Sequence, residues 1–274
     1  MQPVNPARKE TAMNKLGISS SCYYPLVTEK SFEKICLSGV KCAEIFFNSP
    51  GELEKSFIRE LTARQKEYGV DIVSVHPYMS FAEDFFLFSP YERRFTDILP
   101  LYGRFFEVCN ELGAMIFVIH GAKIPGSSTD ELYCERFARL TELGKTYGVN
   151  VCQENVVRYR SESAEYLKMM RDAIGGDFGV VLDIKQARRA NITPDDIIDA
   201  VGDCIRHVHI SDFCSGSDCV PPGQGQFDFP AFFRKMRGIG YDGAYMIEVY
   251  RHSYRDEHEI IESYRKVRDF LVEY

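Results

Sequence analysis

Residues 147–155 read Tyr147-Gly148-Val149-Asn150-Val151-Cys152-Gln153-Glu154-Asn155, and the order of residue types in this stretch decides the fold. The Tyr-Gly pair closes a helical pattern, because glycine readily takes the left-handed conformation that ends a helix. A short apolar, β-prone run follows at once and finishes on a carboxylate. The same helix ending recurs at Tyr68-Gly69-Val70 and at Leu112-Gly113-Ala114. Working outward, strands are predicted at Leu16–Tyr23, Cys42–Asn48, Asp71–Pro77, Met115–Gly121, Val149–Asn155, Phe178–Ile184, Ile205–Asp212 and Ala244–Tyr250. Each is nearly continuous in apolar residues toward its start, as strands covered on both faces should be. Between them, Glu52–Tyr68, Arg93–Leu112 and Ser128–Tyr147 space apolar residues three and four apart, the helical period. Thr193-Pro194-Asp195-Asp196 supplies a helix start, with threonine as N-cap and proline at the first position. Strands recur every thirty residues or so, roughly the length of a βα repeat. Eight such units without a composition shift predict an α/β protein, a single (β/α)8 (TIM) barrel. The alternative, an open doubly wound sheet, would want a glycine-rich phosphate loop after the first strand, and none is present.

The chain of 274 residues suits one barrel of about 250 residues. Its 45% apolar share is that of a globular protein with a sizeable core. A net charge of -7 argues against general nucleic-acid binding, which shows a basic footprint. Nine cysteines, an odd number without C-x-x-C pairs, read as small core residues in a reducing compartment rather than as a disulfide framework. There is no secretory signal and no apolar run of membrane-spanning length, so a cytoplasmic protein without a membrane partner is expected. Residues 1–14 read as a polar, disordered leader before a barrel spanning 15–274, with Met13 an alternative start. Whether the chain forms a homo-oligomer is left open by its sequence.

Charged and imidazole side chains gather where barrel chemistry gathers, at the C-terminal ends of the strands. Strand two carries Glu44, strand three ends in Val75-His76-Pro77 and strand four in Ile119-His120-Gly121. Strand five gives Gln153-Glu154-Asn155, strand six Leu182-Asp183-Ile184-Lys185, strand seven His207-Val208-His209-Ile210-Ser211-Asp212, and strand eight Met246-Ile247-Glu248-Val249. A lone histidine there is usually a packed core residue, and a lone glutamate usually pairs with a nearby cation. Several acids and imidazoles converging on one barrel mouth would repel and desolvate one another unless something neutralised them. A divalent cation does so. Carboxylates with an imidazole suit Mn, Mg, Co or Zn, and the lack of a thiolate set argues against structural zinc.

These stretches, with Ser74-Val75-His76-Pro77-Tyr78, Val118-Ile119-His120-Gly121, Pro222-Gly223-Gln224-Gly225-Gln226-Phe227-Asp228-Phe229 and Gly240-Tyr241-Asp242-Gly243, resemble the xylose isomerase-like barrel superfamily. The likeness is to its sugar phosphate isomerase/epimerase branch, related to endonuclease IV, and runs from Lys15 across essentially the whole chain. The resemblance implies one divalent metal bound by Glu154, Asp183, His209 and Glu248. His209 rather than His207 is the expected ligand, since they share a strand face and the more C-terminal one reaches the mouth. The resemblance further implies that Glu154 and Glu248 are catalytic, exchanging a carbon-bound proton of a carbohydrate substrate through an enediolate.

The substrate layer departs from the ketose 3-epimerases. Arg160 stands where they have a glutamate, Gln186 where they have a histidine, and Ser215 where they have an arginine. His76 and His120 are expected to meet substrate, the alternative implied by an endonuclease-like layout being a second metal alongside Glu154. Lys185, Gln186, Arg160 and Asp212 are also expected to meet substrate, with Asp212 a candidate to orient His209. An endonuclease IV-like zinc cluster would want the histidine replaced by Gln186 and another after strand seven, where Cys214–Pro222 offers Asp218 alone. Inosose dehydratase-like elimination, or sugar binding without catalysis, are the other expectations. The phenylalanine-rich segment Met79–Tyr91 is expected either to form an apolar lid or to cover the barrel edge.

Overall fold

The computed structural model describes residues 15–273, so the leader expected at 1–14 lies outside the described residues. All eight barrel strands form: β1 Leu16–Ser19, β2 Cys42–Phe46, β3 Asp71–His76, β4 Ile116–Ile119, β5 Asn150–Glu154, β6 Gly179–Asp183, β7 Ile205–Ile210 and, after the hairpin β8 Asp212–Cys214 and β9 Ser217–Val220, the closing strand β10 Ala244–Ile247. Their order around the ring is β1-β10-β7-β6-β5-β4-β3-β2, closed and parallel throughout. The antiparallel hairpin lies outside the ring.

Strands are shorter than their apolar runs because the chain turns toward the mouth as soon as the last barrel rung is paired. After β1 the residues Ser20–Tyr23 form a single 3-10 turn, and after β6 a six-residue helix, Ile184–Arg189, starts at once. Long helices fall at Lys55–Tyr68, Glu92–Leu112, Asp130–Thr146 and Glu257–Glu273, and left-handed Gly69 and Gly113 close the first two. Thr193 caps Pro194–Val201 through a reciprocal pair with Asp196, a capping box. One glycine is required by space: a Cβ on Gly17 of β1 would stand 2.4 Å from the Cys42 carbonyl oxygen of β2, so only glycine lets the ring close there.

Helix Glu92–Leu112 seals its side of the barrel with aromatic rings. Phe105 and Phe106 meet Phe117 of β4 at ring-centroid distances of 5.5 and 5.1 Å, and all three are fully buried. Such packing makes the strands a rigid frame, so side chains at their ends are held in place from below. The nine cysteines are all unpaired, eight of them buried. No helix among the described residues is long and apolar enough to cross a membrane.

Candidate metal centre

Three of the four expected metal ligands stand at the C-terminal ends of neighbouring strands: Glu154 ends β5, Asp183 ends β6 and His209 is next to last in β7. Glu248 follows β10 directly. Strand register sets Asp183 beside His209, and His209 beside Met246, two residues before Glu248. His209 Nδ1 lies 3.4 Å from Glu154 Oε1, 3.8 Å from Asp183 Oδ2 and 3.5 Å from Glu248 Oε2. One ligand atom from each residue lies within 4.8 Å of all the others. Spacings of this size are those of atoms arranged around an ion about 2.0–2.2 Å from each.

Local bonding selects which atoms are left for an ion. Asp183 caps helix Ile184–Arg189, its Oδ1 accepting the Gln186 N–H at 2.8 Å, which commits that oxygen. Its backbone is locked by the Asn155 amide, which accepts the Asp183 N–H at 2.7 Å and donates to its carbonyl at 3.0 Å. Asp183 Oδ2 and His209 Nδ1 are buried, and neither makes a hydrogen bond within the protein. Orphaned buried polar atoms are costly and call for a partner. Three carboxylates and one imidazole, with two such atoms facing one point, fit Mn²⁺, Mg²⁺, Co²⁺ or Zn²⁺.

Beneath this layer sits Glu44 of β2, fully buried. Its Oε2 lies 3.1 Å from His209 Nε2 and 3.2 Å from His207 Nε2, and accepts the Ser74 hydroxyl at 2.8 Å. When His209 Nε2–H donates to Glu44, the Nδ1 lone pair is left toward the ligand cluster. Burial opposes charge on Glu44, but the His209 and His207 imidazoles hold its carboxyl well below the usual range. Burial pushes His207 down, consistent with its expected place as a packed inner-layer residue. Burial likewise works against a charged His209, yet Glu44 and Glu248 raise it well above the ordinary histidine value. The carboxylates of Glu44, Glu154, Asp183 and Glu248 thus outnumber the one fixed cation near them, Lys185. That excess is the electrostatic demand a divalent ion would meet.

Above the four residues opens a cavity of about 470 Å³. His76, His120, Lys185 and Gln186 line it, as do Tyr24, Phe46, Tyr78 and Tyr250, whose rings the sequence reading did not single out. His120 Nε2 lies 2.9 Å from both Glu154 Oε2 and His76 Nε2, and Phe46 stacks on His76 at 4.4 Å. Lys185 Nζ lies 3.0 Å from Glu248 Oε2 and 3.4 Å from Asp183 Oδ2. Gln186 accepts the Val157 N–H at 3.3 Å through its side-chain oxygen.

Two expected substrate residues lie elsewhere. Arg160 is engaged by Asp130 and the Ser128 carbonyl, outside the cavity wall. Asp212 does not touch His209. Its carboxylate accepts the backbone N–H groups of Phe213, Gly223, Gly225 and Phe227 at 2.8–2.9 Å, organising the loop after β7. A Cβ on Gly225 would stand 2.4 Å from Asp212 Oδ1, so this loop closes only on glycine. Orientation of His209 belongs to Glu44 instead. An acid inside an otherwise apolar barrel strand was the one signal in the sequence that could have pointed to it. Segment Met79–Tyr91 crosses the barrel edge. Its Glu83 accepts the Gly121 N–H at 2.6 Å and Phe88 stacks on Tyr133 at 4.0 Å, while Phe81 (77%) and Phe85 (51%) remain exposed. None of these side chains lines the cavity, so edge cover is the reading the geometry favours over a lid.

A family model described as xylose isomerase-like TIM barrel matches residues 32–273. An uncharacterized protein of Methanocaldococcus jannaschii is 26% identical over 248 residues, covering 85% of this chain and 83% of that protein. An inosose isomerase of Bacillus velezensis is 25% identical over 177 residues, 60% of this chain and 63% of that protein. Among solved structures, a D-tagatose 3-epimerase-like protein superposes with a TM-score of 0.77 at 22% identity, covering 94% of this chain and 97% of that one. The IOLI protein with a binding zinc atom gives a TM-score of 0.76 at 18% identity, with 95% and 99% covered. At such identities the structural likenesses speak for the barrel alone.

Proposed function

The chain belongs to the xylose isomerase-like TIM-barrel family, matched over residues 32–273, and from that premise we propose that it is a divalent-metal-dependent isomerase or epimerase of sugars or sugar phosphates. The observation that carries this reading is the pair Glu154 and Glu248, whose carboxylates come within 3.4 and 3.5 Å of His209 Nδ1 at the floor of a cavity of carbohydrate size. Inosose isomerase among the relatives and an epimerase-like protein among the structural neighbours support the substrate class. A zinc-bound neighbour supports the metal.

Glu154, Asp183, His209 and Glu248 would hold the ion, which when bound supplies a Lewis acid to a substrate carbonyl and the hydroxyl beside it. The remaining work falls to the protein's own residues. One glutamate takes the proton from the carbon next to the carbonyl, leaving an enediolate. The other returns a proton to the opposite face, giving an epimer, or to the neighbouring carbon, giving an isomer. His120 braces Glu154 Oε2 at 2.9 Å, and Lys185 braces Glu248 at 3.0 Å. His76 and Gln186 face the substrate's hydroxyls, and the rings of Tyr24, Phe46, Tyr78 and Tyr250 shed water from the cavity. Elimination of water is the second reading, favoured by Lys185, whose ammonium in the cavity wall is an acid able to protonate a departing hydroxyl.

Solvent deuterium incorporation across a panel of ketoses and cyclitols, with Mn²⁺ or Mg²⁺ added, tests the assignment. The wild-type chain is expected to label at least one member, with loss of water marking elimination. Glu154→Gln and Glu248→Gln are each expected to lower that exchange by about 100-fold or more while the circular dichroism stays native. Exchange that survives both substitutions would overturn the roles given to the glutamates. No exchange on any panel member would move the protein to the non-catalytic sugar-binding class.

A further inference from the structure

Lys185 is the one lysine or arginine among the described residues that lines the cavity, and its position relative to the ligand oxygens is specific. Its buried ammonium stands 3.0 Å from Glu248 Oε2 and 3.4 Å from Asp183 Oδ2. These are the same two oxygens that turn toward His209 Nδ1, at 3.5 and 3.8 Å. Asp183 cannot offer its other oxygen, because Oδ1 caps the helix on which Lys185 rides. That helix starts at Asp183 itself, so the lysine is fixed relative to the ligand by a single turn. The far side of the ammonium is also held, with Nζ 4.8 Å from the centroid of the Tyr250 ring. Tyr250 in turn accepts a hydrogen bond from Arg189 at 2.8 Å, and Arg189 is gripped by Asp218 of the outer hairpin at 2.6 and 3.0 Å.

The charges then have a definite sum. Glu154, Asp183 and Glu248 bring three negative charges to the ligand cluster, with His209 binding through a neutral nitrogen. One ammonium leaves two, and the Glu44 carboxylate behind His209 adds a third, so a divalent ion still leaves the loaded centre with one negative charge. Without Lys185 the three carboxylates would attract that ion more strongly and the loaded centre would keep a larger net negative charge. We propose that Lys185 is a resident counter-cation of the metal centre: competing with a divalent ion for Asp183 Oδ2 and Glu248 Oε2, it weakens the hold on that ion and lowers the negative charge the loaded centre keeps. The inference rests on the metal site of the proposed function.

The test uses Mn²⁺ alone and needs no substrate. Calorimetric binding of Mn²⁺ to the chelator-stripped full chain is compared for wild type, Lys185→Met and Lys185→Gln. Both substitutions are expected to tighten binding by about 10- to 100-fold. Equal or weaker binding in correctly folded variants overturns the proposal. No Mn²⁺ binding by wild type or variants removes the metal site itself, a different result from equal affinities. Since the substitutions strand two buried carboxylates in the stripped protein, a measurement on the wild-type chain stands beside them. With ¹⁵N-labelled lysine, bound Mn²⁺ should broaden one side-chain ammonium resonance beyond detection and spare the others. Mn²⁺ bound with every lysine resonance intact would equally overturn the counter-cation.

Discussion

Glu44 is outside the proposed ligand set of Glu154, Asp183, His209 and Glu248, yet its carboxylate decides which nitrogen of His209 is available. As an anion it accepts from Nε2–H of both His209 and His207 and from the Ser74 hydroxyl. Glu44→Gln replaces that acceptor by an amide that can present N–H to the ring, allowing the tautomer with the proton on Nδ1. Mn²⁺ affinity is expected to fall by about 10- to 100-fold, with thermal stability changed little by comparison. A ¹⁵N histidine spectrum would show the shift of tautomer directly, and an unchanged affinity would count against the positioning role. The same residue shows where sequence reading stops. His207 and His209 share a strand face by parity, so choosing between them was possible from spacing alone. Asp212, an odd number of positions from His209, points away from it by the same parity, a relation the sequence alone contains. Glu44 was harder, because β2 and β7 are not neighbours in the ring, being separated by β1 and β10, and meet only through its interior.

At the scale of elements, the segment Met79–Tyr91 is pinned to the barrel by a group that resists ionisation. Glu83 is fully buried, and burial pushes its carboxyl from the ordinary value of 4.5 to about 8, although the Gly121 N–H opposes the shift. A folded-state value above the unfolded one means that the folded protein holds a proton the unfolded chain gives up. Stability from this group is therefore full below about pH 4.5, falls as pH rises toward 8, and is level beyond. Glu83→Gln keeps an acceptor for Gly121 and removes the slope. Urea unfolding between pH 5 and 9 should show wild type losing roughly 2–4 kcal/mol relative to the variant across that window. Parallel profiles would show that Glu83 ionises without cost. Neither Glu83 nor the hairpin β8–β9 was legible beforehand. The hairpin residues Cys214-Ser215-Gly216-Ser217-Asp218 lack the alternation of a half-buried strand. Helices ended by Gly69 and Gly113, and the one capped by Thr193, were legible because their signals are local.

For the whole molecule, an ion held by the proposed ligands would couple its binding to the stability of the ring of strands. The four ligands come from four strands, so an ion bound by them links parts of the chain that are far apart in sequence and that separate on unfolding. At 100 times its dissociation constant, a divalent ion bound only by the folded state adds about 2.7 kcal/mol, a rise of several degrees in the thermal midpoint. Chelation should reverse the rise. A midpoint indifferent to Mn²⁺, Mg²⁺, Co²⁺ and Zn²⁺ alike would count against the centre. The barrel was readable at this scale because eight repeats of one pattern reinforce one another, whereas the lining of the cavity depends on loops whose paths no repeat specifies.

The closed order of the ring sets β5, β6, β7 and β10 side by side, and these four strands supply Glu154, Asp183, His209 and Glu248. The other side of the mouth, around β1 to β4, brings Ser21, Tyr24, Phe46, Asn48, His76, Tyr78 and His120 to the cavity. On the proposed function, one half of the barrel mouth would carry the chemistry and the other the recognition of substrate. Descent with modification could rewrite the second while leaving the first intact, and a grafted half-barrel would be the natural unit of exchange for redirecting such a protein to a new sugar.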